Sequence, residues 1–529
     1  MADVIIKNGW LIDGTGNPRY KADIILNDER IIDIGQFPNA SACIEIDATG
    51  KIISPGFIDV HSHTDATIKL NPTNQSSIRQ GITTEVVGNC GNSQAPMIHE
   101  ARMGGAGGFG SFSRDDGNYT FGEYLASIEK MGTSANIAWL VGHNTIRSVA
   151  GVKGKEVSVE NIRKMERLLG ESLSEGAIGF STGLEFEPGR SSGSEEIKRL
   201  CKVVREYDGI YASHIRNRAD MVLSALDEFL DTIRSTGCRG EISHMNIRYN
   251  TGAPDKAFEQ CVEKIEKVRN EGFEVLSDMT PLNSGIGQMA GILPPWLRAE
   301  GMEKAIEYLK DPQARTRLRN DCDRYWRFIH RGEWDRVRMQ SNPAFPELNG
   351  LDFNQIAELW KKDQWDCYFD ILAAAGEKMD GIVLVARLFS DEHLKETISN
   401  PLYMLVVDGY STSIDEPLAR ETAYPLHYMG MMYFLTYHVR SINTLRLEEA
   451  IRKMTSMPAT HFRLKDRGLL RKGMYADLVV FDFDKLDTVS TIEKPLAYAK
   501  GIEHVFVNGK QVIENMQHTG ARPGKNILR

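Results

Sequence analysis

His61-Ser62-His63 is the first feature of the sequence with chemical content. It closes the apolar run GFIDVHSH (56–63). Side chains two apart on a strand share a face, so both imidazoles can reach one ion. Further along, Cys90 ends TTEVVGNC (83–90), His214 ends GIYASH (209–214) and His244 ends GEISH (240–244). Asp278 lies in FEVLSDM (273–279) and Asp408 in PLYMLVVDG (401–409). Imidazole nitrogen, thiolate and carboxylate are the ligands Zn²⁺ prefers, so this set suits a zinc centre if the fold gathers it. Cys90 also reads as a small buried hydrophobe or a thiol nucleophile. The number of histidines in matching positions favours a metal-bridging thiolate. Asp408 reads as catalytic, its alternative being a strand-end turn residue before Gly409.

These residues need a scaffold that brings distant strand ends together. Two more β-rich runs, ANIAWLVGH (135–143) and GAIGFSTG (176–183), bring the number to eight. Helical patterns fall between them at 161–173, 195–207, 221–237 and 257–272. Eight such units predict an α/β fold, a (β/α)₈ barrel of the TIM type, whose reactive groups sit at the strand C-termini. An open doubly wound sheet is the competing architecture. It would want a GxGxxG turn after an early strand, and the glycines at 104–110 (GGAGGFG) lack that spacing and fit a flexible loop.

Both ends of the chain read as short antiparallel strands: DVIIKNGWLI, ADIILND and ERIIDIG first, then ADLVVFDFD (476–484) and GIEHVFVNGKQVI (501–513). They predict one small β-sandwich built from both termini, against the alternative of two separate β caps. Residues 1–54 and 466–529 supply it, and 55–465 form the barrel. Between the seventh and eighth units, charged helical segments such as LDFNQIAELWKK predict a helical insertion over 283–400, serving as a lid or substrate wall. The run His427–Phe434 reads as a buried helix, and His461 as a packing residue.

Composition narrows the function classes. The 529 residues carry a net charge of −9 and 41% hydrophobic residues, enough for a large core. A mildly acidic chain without Lys/Arg clusters is a poor binder of nucleic acid or anionic membranes. No apolar run approaches the roughly 20 residues that span a bilayer, and the N-terminus lacks a secretion-signal pattern. Seven cysteines, odd and scattered, do not form a disulfide framework. A cytoplasmic enzyme is the expectation.

PGFIDVHSHTD, GITTEVVGNCG, YASHIRNR, ISHMN, VVDG and RGLLRKGMYADLVVFD resemble the amidohydrolase superfamily, more narrowly its N-acyl-D-amino-acid deacylase (D-aminoacylase) branch. The resemblance runs through nearly the whole chain, and the Cys of GNCG is its sharpest mark. It implies a metal-dependent barrel beside a β-sandwich that cleaves a small-molecule amide by attack of zinc-bound hydroxide. Cys90, His214 and His244 would hold the tighter Zn²⁺. His61 and His63, sharing Cys90, would form a second, weaker site, and Asp408 would be general base and acid. Enzymes of this architecture often self-associate, which makes a homo-oligomer an expectation.

Three positions depart from the family's pattern. The lysine usual two residues after His244 is Asn246, the first tyrosine of Asp-x-Tyr-Pro-Tyr is Thr280, and the acidic residue of the fifth-strand motif is Arg218. In the deacylases that lysine and tyrosine help bind the substrate's free α-carboxylate. Their absence raises a second expectation, a neutral or cyclic amide, or an acid held differently by Arg216, Arg218 or an arginine of the insertion. Asn246 and Thr280 stay candidate substrate contacts. His143 is another, either donating to the oxyanion or only holding a loop. Two readings from other classes are a non-catalytic assembly protein on an amidohydrolase-like barrel and a cysteine hydrolase using Cys90.

Overall fold

Eight short strands, each buried along nearly its whole length, form a parallel barrel: β1 (Phe57–Asp59), β2 (Ile82–Val87), β3 (Asn136–Gly142), β4 (Gly179–Gly183), β5 (Ile210–His214), β6 (Arg239–Ile242), β7 (Val275–Met279) and β8 (Tyr403–Leu405). The computed structural model describes every residue except Met1, Glu100, 102–116, Lys153, 299–300, Asp323, Glu416 and Thr422. The glycine run at 104–110 therefore lies outside the described residues. Neighbouring strands pair in sequence order from β1 to β8. Just past the ends of β1 and β8 the ring is joined by a parallel bridge between Ser62 and Gly409. His63 N–H donates to Gly409 C=O at 2.8 Å, and Asp408 N–H to His61 C=O at 3.0 Å. The two outermost site segments, His61–His63 and Asp408, are thus fixed to each other by backbone.

Period-two alternation sorts the strand side chains between two cores. Ile58, Val60, Ala138, Leu140, Ile210, Ala212, Met404 and Val406 pack together inside the ring. Ile137, Trp139 and Val141 face the surrounding helices. Those helices follow their strands as the sequence patterns require: Val159–Ser174, Ser194–Glu206, Val222–Thr236 and Ala257–Asn270. The first of them starts at a Ser158–Asn161 capping box and buries Ile162, Met165, Leu169 and Leu173, one apolar stripe at helical spacing.

The two ends of the chain meet in one nine-stranded sheet. Leu478–Phe481 lies antiparallel to Ile52–Pro55, so two separate caps are excluded. Leu478 and Val480 join a core private to this sheet, while Val479 and Phe481 pack into the main barrel core. The last residues then return to the barrel, Asn526–Ile527 pairing with β3.

The segment between β7 and β8 corrects one expectation, because it is more than helical. Helices Met302–Lys310, Pro312–Asp321, Phe353–Trp360 and Gln364–Ala375 accompany an antiparallel sheet of Ser284–Gln288, Val383–Arg387 and Val337–Ser341. Its interior is aromatic, with Trp334 against Phe353, Trp365 and Tyr368. Leu426–Tyr433 is a buried helix, and His461 Nε2–H donates to Gly240 C=O (2.9 Å) within the packing. Among the described residues no helix is long and apolar enough to cross a membrane.

Candidate metal centre

Cys90 Sγ is the hub of the barrel's C-terminal rim. His61 Nε2 lies 3.2 Å away, His244 Nε2 3.4 Å and His214 Nδ1 3.6 Å. Asp408 completes the cluster: its Oδ1 is 3.3 Å from His63 Nε2 and 3.5 Å from His61 Nε2, and its Oδ2 is 4.0 Å from His244 Nε2. One ligand atom each from His61, Cys90, His244 and Asp408 falls within 4.8 Å of the others. Residues from five strands of a chain of 529 therefore share one small volume.

The backbone bends sharply to present them. Cys90, His244 and Asp408 have φ of 52°, 34° and 52°, in the left-handed region that L residues enter at a cost of about 1–3 kcal/mol each. A Cβ on Gly183, at the end of β4, would sit 2.2 Å from Cys90 C=O, so glycine there is what lets the Cys90 turn close against the neighbouring strand.

The charge states suit a cation. Burial pushes the Cys90 thiol up, but the imidazoles of His61 and His244 outweigh it and hold it well below its ordinary value, as a thiolate. Burial likewise opposes ionisation of Asp408, yet His244 and His63 bring its carboxyl down to about 2. A buried thiolate, several imidazoles and a carboxylate match the donor set of zinc.

Carboxylates behind the cluster fix the rings. Glu185 Oε2 lies 2.7 Å from His214 Nε2, which leaves His214 Nδ1 directed at Cys90. Asp278 Oδ2 is 3.3 Å from His61 Nδ1, leaving His61 Nε2 for the hub, while Asp278 Oδ1 accepts the His244 N–H. Such carboxylate–histidine pairs set the tautomer of metal-binding imidazoles. Glu185 was not singled out by the sequence, although it stands two residues beyond the end of β4. Arg248 grips it in a bidentate pair at 2.5 and 2.7 Å, and Arg218 Nη2 stands 3.9 Å off. Burial opposes its charge, but Arg248 and His214 prevail and hold its carboxyl well below the usual range.

The cluster opens into a cavity of about 360 Å³, lined on the barrel side by His63, Cys90, His214, His244, Arg218, Thr280 and Asp408 and on the insertion side by Ile286, Ile292, Trp326, Leu388 and Phe389. The insertion is thus a wall of the cavity. Three candidate substrate contacts lie elsewhere. His143 begins the helix His143–Val149 and turns away from the rim, with Nε2 bound to Glu196 at 2.7 Å. Arg216 is spent on Glu228 (2.8 and 2.9 Å) and on the carbonyls of Arg190 and Ser192. Asn246 is buried, its Oδ1 accepting from Thr280 N–H at 3.1 Å, and it does not reach the lining.

Comparison with known proteins agrees with this architecture. A family model described as "Amidohydrolase family" matches residues 45–310 and 407–513. N-acyl-D-glutamate deacylase of Alcaligenes xylosoxydans xylosoxydans is 31% identical over 528 residues, covering 100% of this chain and 96% of that protein. D-aminoacylase of the same organism is 28% identical, over 100% and 98% of the two chains. The crystal structure of N-acyl-D-glutamate deacylase from Bordetella bronchiseptica, complexed with zinc and a phosphonate mimic of the tetrahedral intermediate, superposes with a TM-score of 0.81 at 28% identity, covering 100% of both chains.

Proposed function

The chain belongs to the amidohydrolase family, and from that premise we propose that it removes the acyl group from an N-acyl-D-amino acid. It is a metal-dependent hydrolase of carbon–nitrogen amide bonds, and the substrate class and residue roles are the reading offered here. The observation that carries it is the convergence of three imidazoles on the Cys90 thiolate within 3.6 Å, beside an ionised Asp408. Cys90, His214 and His244 would hold one zinc ion, and His61 and His63, with Cys90 shared, a second. Zinc there supplies a Lewis acid for the amide carbonyl and lowers the pKa of water.

Asp408 is placed to handle the proton. As a carboxylate it accepts a proton from the attacking water, and it then gives that proton to the departing nitrogen, which leaves as an amine. Its contacts with His63 and His244 keep it ionised at neutral pH and aim it at the same volume. Asp278 and Glu185 hold the rings of His61 and His214, and apolar side chains of the insertion form one wall of the cavity. A neutral or cyclic amide is the second reading, favoured by Asn246 and Thr280, which offer no cation.

The test is a panel of N-acetyl-D- and L-amino acids, with zinc content measured alongside. Turnover of the D series by the zinc-loaded protein, and a drop of about 10²–10⁴-fold in kcat for D408N at unchanged zinc content, are expected. Hydrolysis confined to cyclic amides would overturn the substrate assignment, and a fully active D408N would overturn the role of Asp408.

A further inference from the structure

Of the three arginines gathered around Glu185, two hydrogen-bond to it directly. Arg248 spends two N–H groups on the Glu185 carboxylate, at 2.5 and 2.7 Å. Arg190 directs Nε and Nη2 at the Glu185 carbonyl, at 2.9 and 2.6 Å. Arg218 differs. Its Nη1 donates to His244 C=O at 2.6 Å, its Nη2 is 3.9 Å from Glu185 Oε2, and its buried Nε has no hydrogen-bond partner. The residue is 6% exposed, yet it lines the cavity. A guanidinium in that position is desolvated, only partly neutralised, and lacks an acceptor that a ligand in the cavity can supply.

Resting on the deacylase reading above, we infer that Arg218 is the anion anchor of the cavity: it binds the α-carboxylate of an N-acyl amino acid whose other groups are apolar. Position supports the α-carboxylate. The guanidinium is hydrogen-bonded to the main chain of His244, whose ring meets Cys90 Sγ at 3.4 Å, so it stands beside the reacting centre. In an N-acyl amino acid the carboxylate is two bonds beyond the scissile nitrogen, which demands an anchor that close. Guanidinium also pairs with carboxylate through paired N–H donors, which a single ammonium cannot match. Beside the charged Glu185, Glu187 and Arg190, the lining takes Ile286, Ile292, Trp326, Leu388 and Phe389 from the insertion, an apolar surface on which a side chain or acyl group can pack.

The experiment compares N-acetyl-D-leucine, N-acetyl-D-leucinamide and N-succinyl-D-leucinamide, whose sole carboxylate is moved to the acyl side. Each is assayed with wild-type holoenzyme, R218Q and R218K. Binding is read separately by titration calorimetry with ketomethylene isosteres of the first two compounds, which replace the scissile N–H by CH₂ and cannot be hydrolysed. The wild type should prefer the acid over the carboxamide by about 10- to 150-fold in kcat/KM and in Kd. R218Q should erase that preference by weakening the acid alone, and R218K should restore part of it, both at wild-type zinc content. A preference that survives in R218Q, an equal loss for acid and carboxamide, or a stronger response to the succinyl compound would each overturn the assignment. Absence of turnover with the isostere preference intact would sink the deacylase reading while supporting Arg218 as the anchor.

Discussion

Replacing Glu185 by Gln tests whether the carboxylates behind the cluster set its metal affinity. His214 can offer Nδ1 as a lone pair towards Cys90 only if its proton sits on Nε2, and Glu185 Oε2, 2.7 Å from Nε2, is what holds the proton there. A glutamine can present its oxygen to His214 or to Arg248 but not a charge to either, and its NH₂ must face one of them. Losing such a carboxylate typically weakens metal binding 10- to 100-fold, about 1.4–2.7 kcal/mol. The variant also leaves the buried Arg248 guanidinium without its counter-charge, a change that costs about 3–5 kcal/mol when one partner of a buried pair is removed. Competition with a chromophoric chelator would read the zinc affinity, and a thermal melt the stability. R248L separates the two effects, because it destabilises the fold but leaves the Glu185–His214 bond. E185Q should therefore lose more zinc affinity than R248L does. Zinc binding by E185Q within twofold of the wild type would refute the reasoning.

Three further outcomes are expected. With cobalt in place of zinc, the wild type should show a thiolate-to-metal charge-transfer band in the near ultraviolet, absent from C90S; a band retained in C90S would remove Cys90 from the centre. H143Q should keep kcat/KM within about twofold while melting earlier, since His143 is bound to Glu196 away from the cavity; a tenfold fall in kcat would return it to the site. Lys453, whose Nζ donates to the carbonyls of Tyr403 (2.8 Å) and Asn400, is brought down by burial to about 7, against about 10.4 unfolded. Between those values the unfolded chain binds a proton that the folded chain does not, so this group's contribution to stability rises with pH from about 7 to about 10. Wild-type minus K453M stability should climb across that window, by at most about 1.4 kcal/mol per pH unit; a flat difference would refute it.

The barrel was legible because parallel strands buried on both faces read as apolar runs, and here nearly every run stops at a residue with chemistry on it. His61, Cys90, His214 and His244 could be picked out one by one for that reason. Direction was not legible. His143 also ends a strand run, but its backbone has already entered a helix, which carries the ring to Glu196 and away from the rim. Arg216 and Arg218 are two apart in the sequence yet have opposite fates, one absorbed by Glu228 and two carbonyls, the other turned into the cavity. Glu185 was missed because its importance lies in a pair with Arg248, 63 residues away, and no local pattern encodes that pair. The sheet in the insertion was missed because Ser284–Gln288 (SGIGQ) carries two glycines and lacks the β-branched, alternating texture of a strand.

The left-handed residues at the rim connect these points. A straight strand end would send Cys90, His244 and Asp408 on in the strand direction, where a ring of side chains diverges. Bending each backbone through positive φ folds its side chain over the barrel axis, and the strain persists only because neighbours over-determine it. Asp408 N–H is tied to His61 C=O, His244 N–H to Asp278, and the Cys90 turn rests on the space left by Gly183. One of these restraints comes from the side chain of Asp278, whose other oxygen stands 3.3 Å from His61 Nδ1, so a group that positions a ring also holds a backbone. Loss of one should therefore disturb the others, and effects on metal affinity within this cluster should be non-additive.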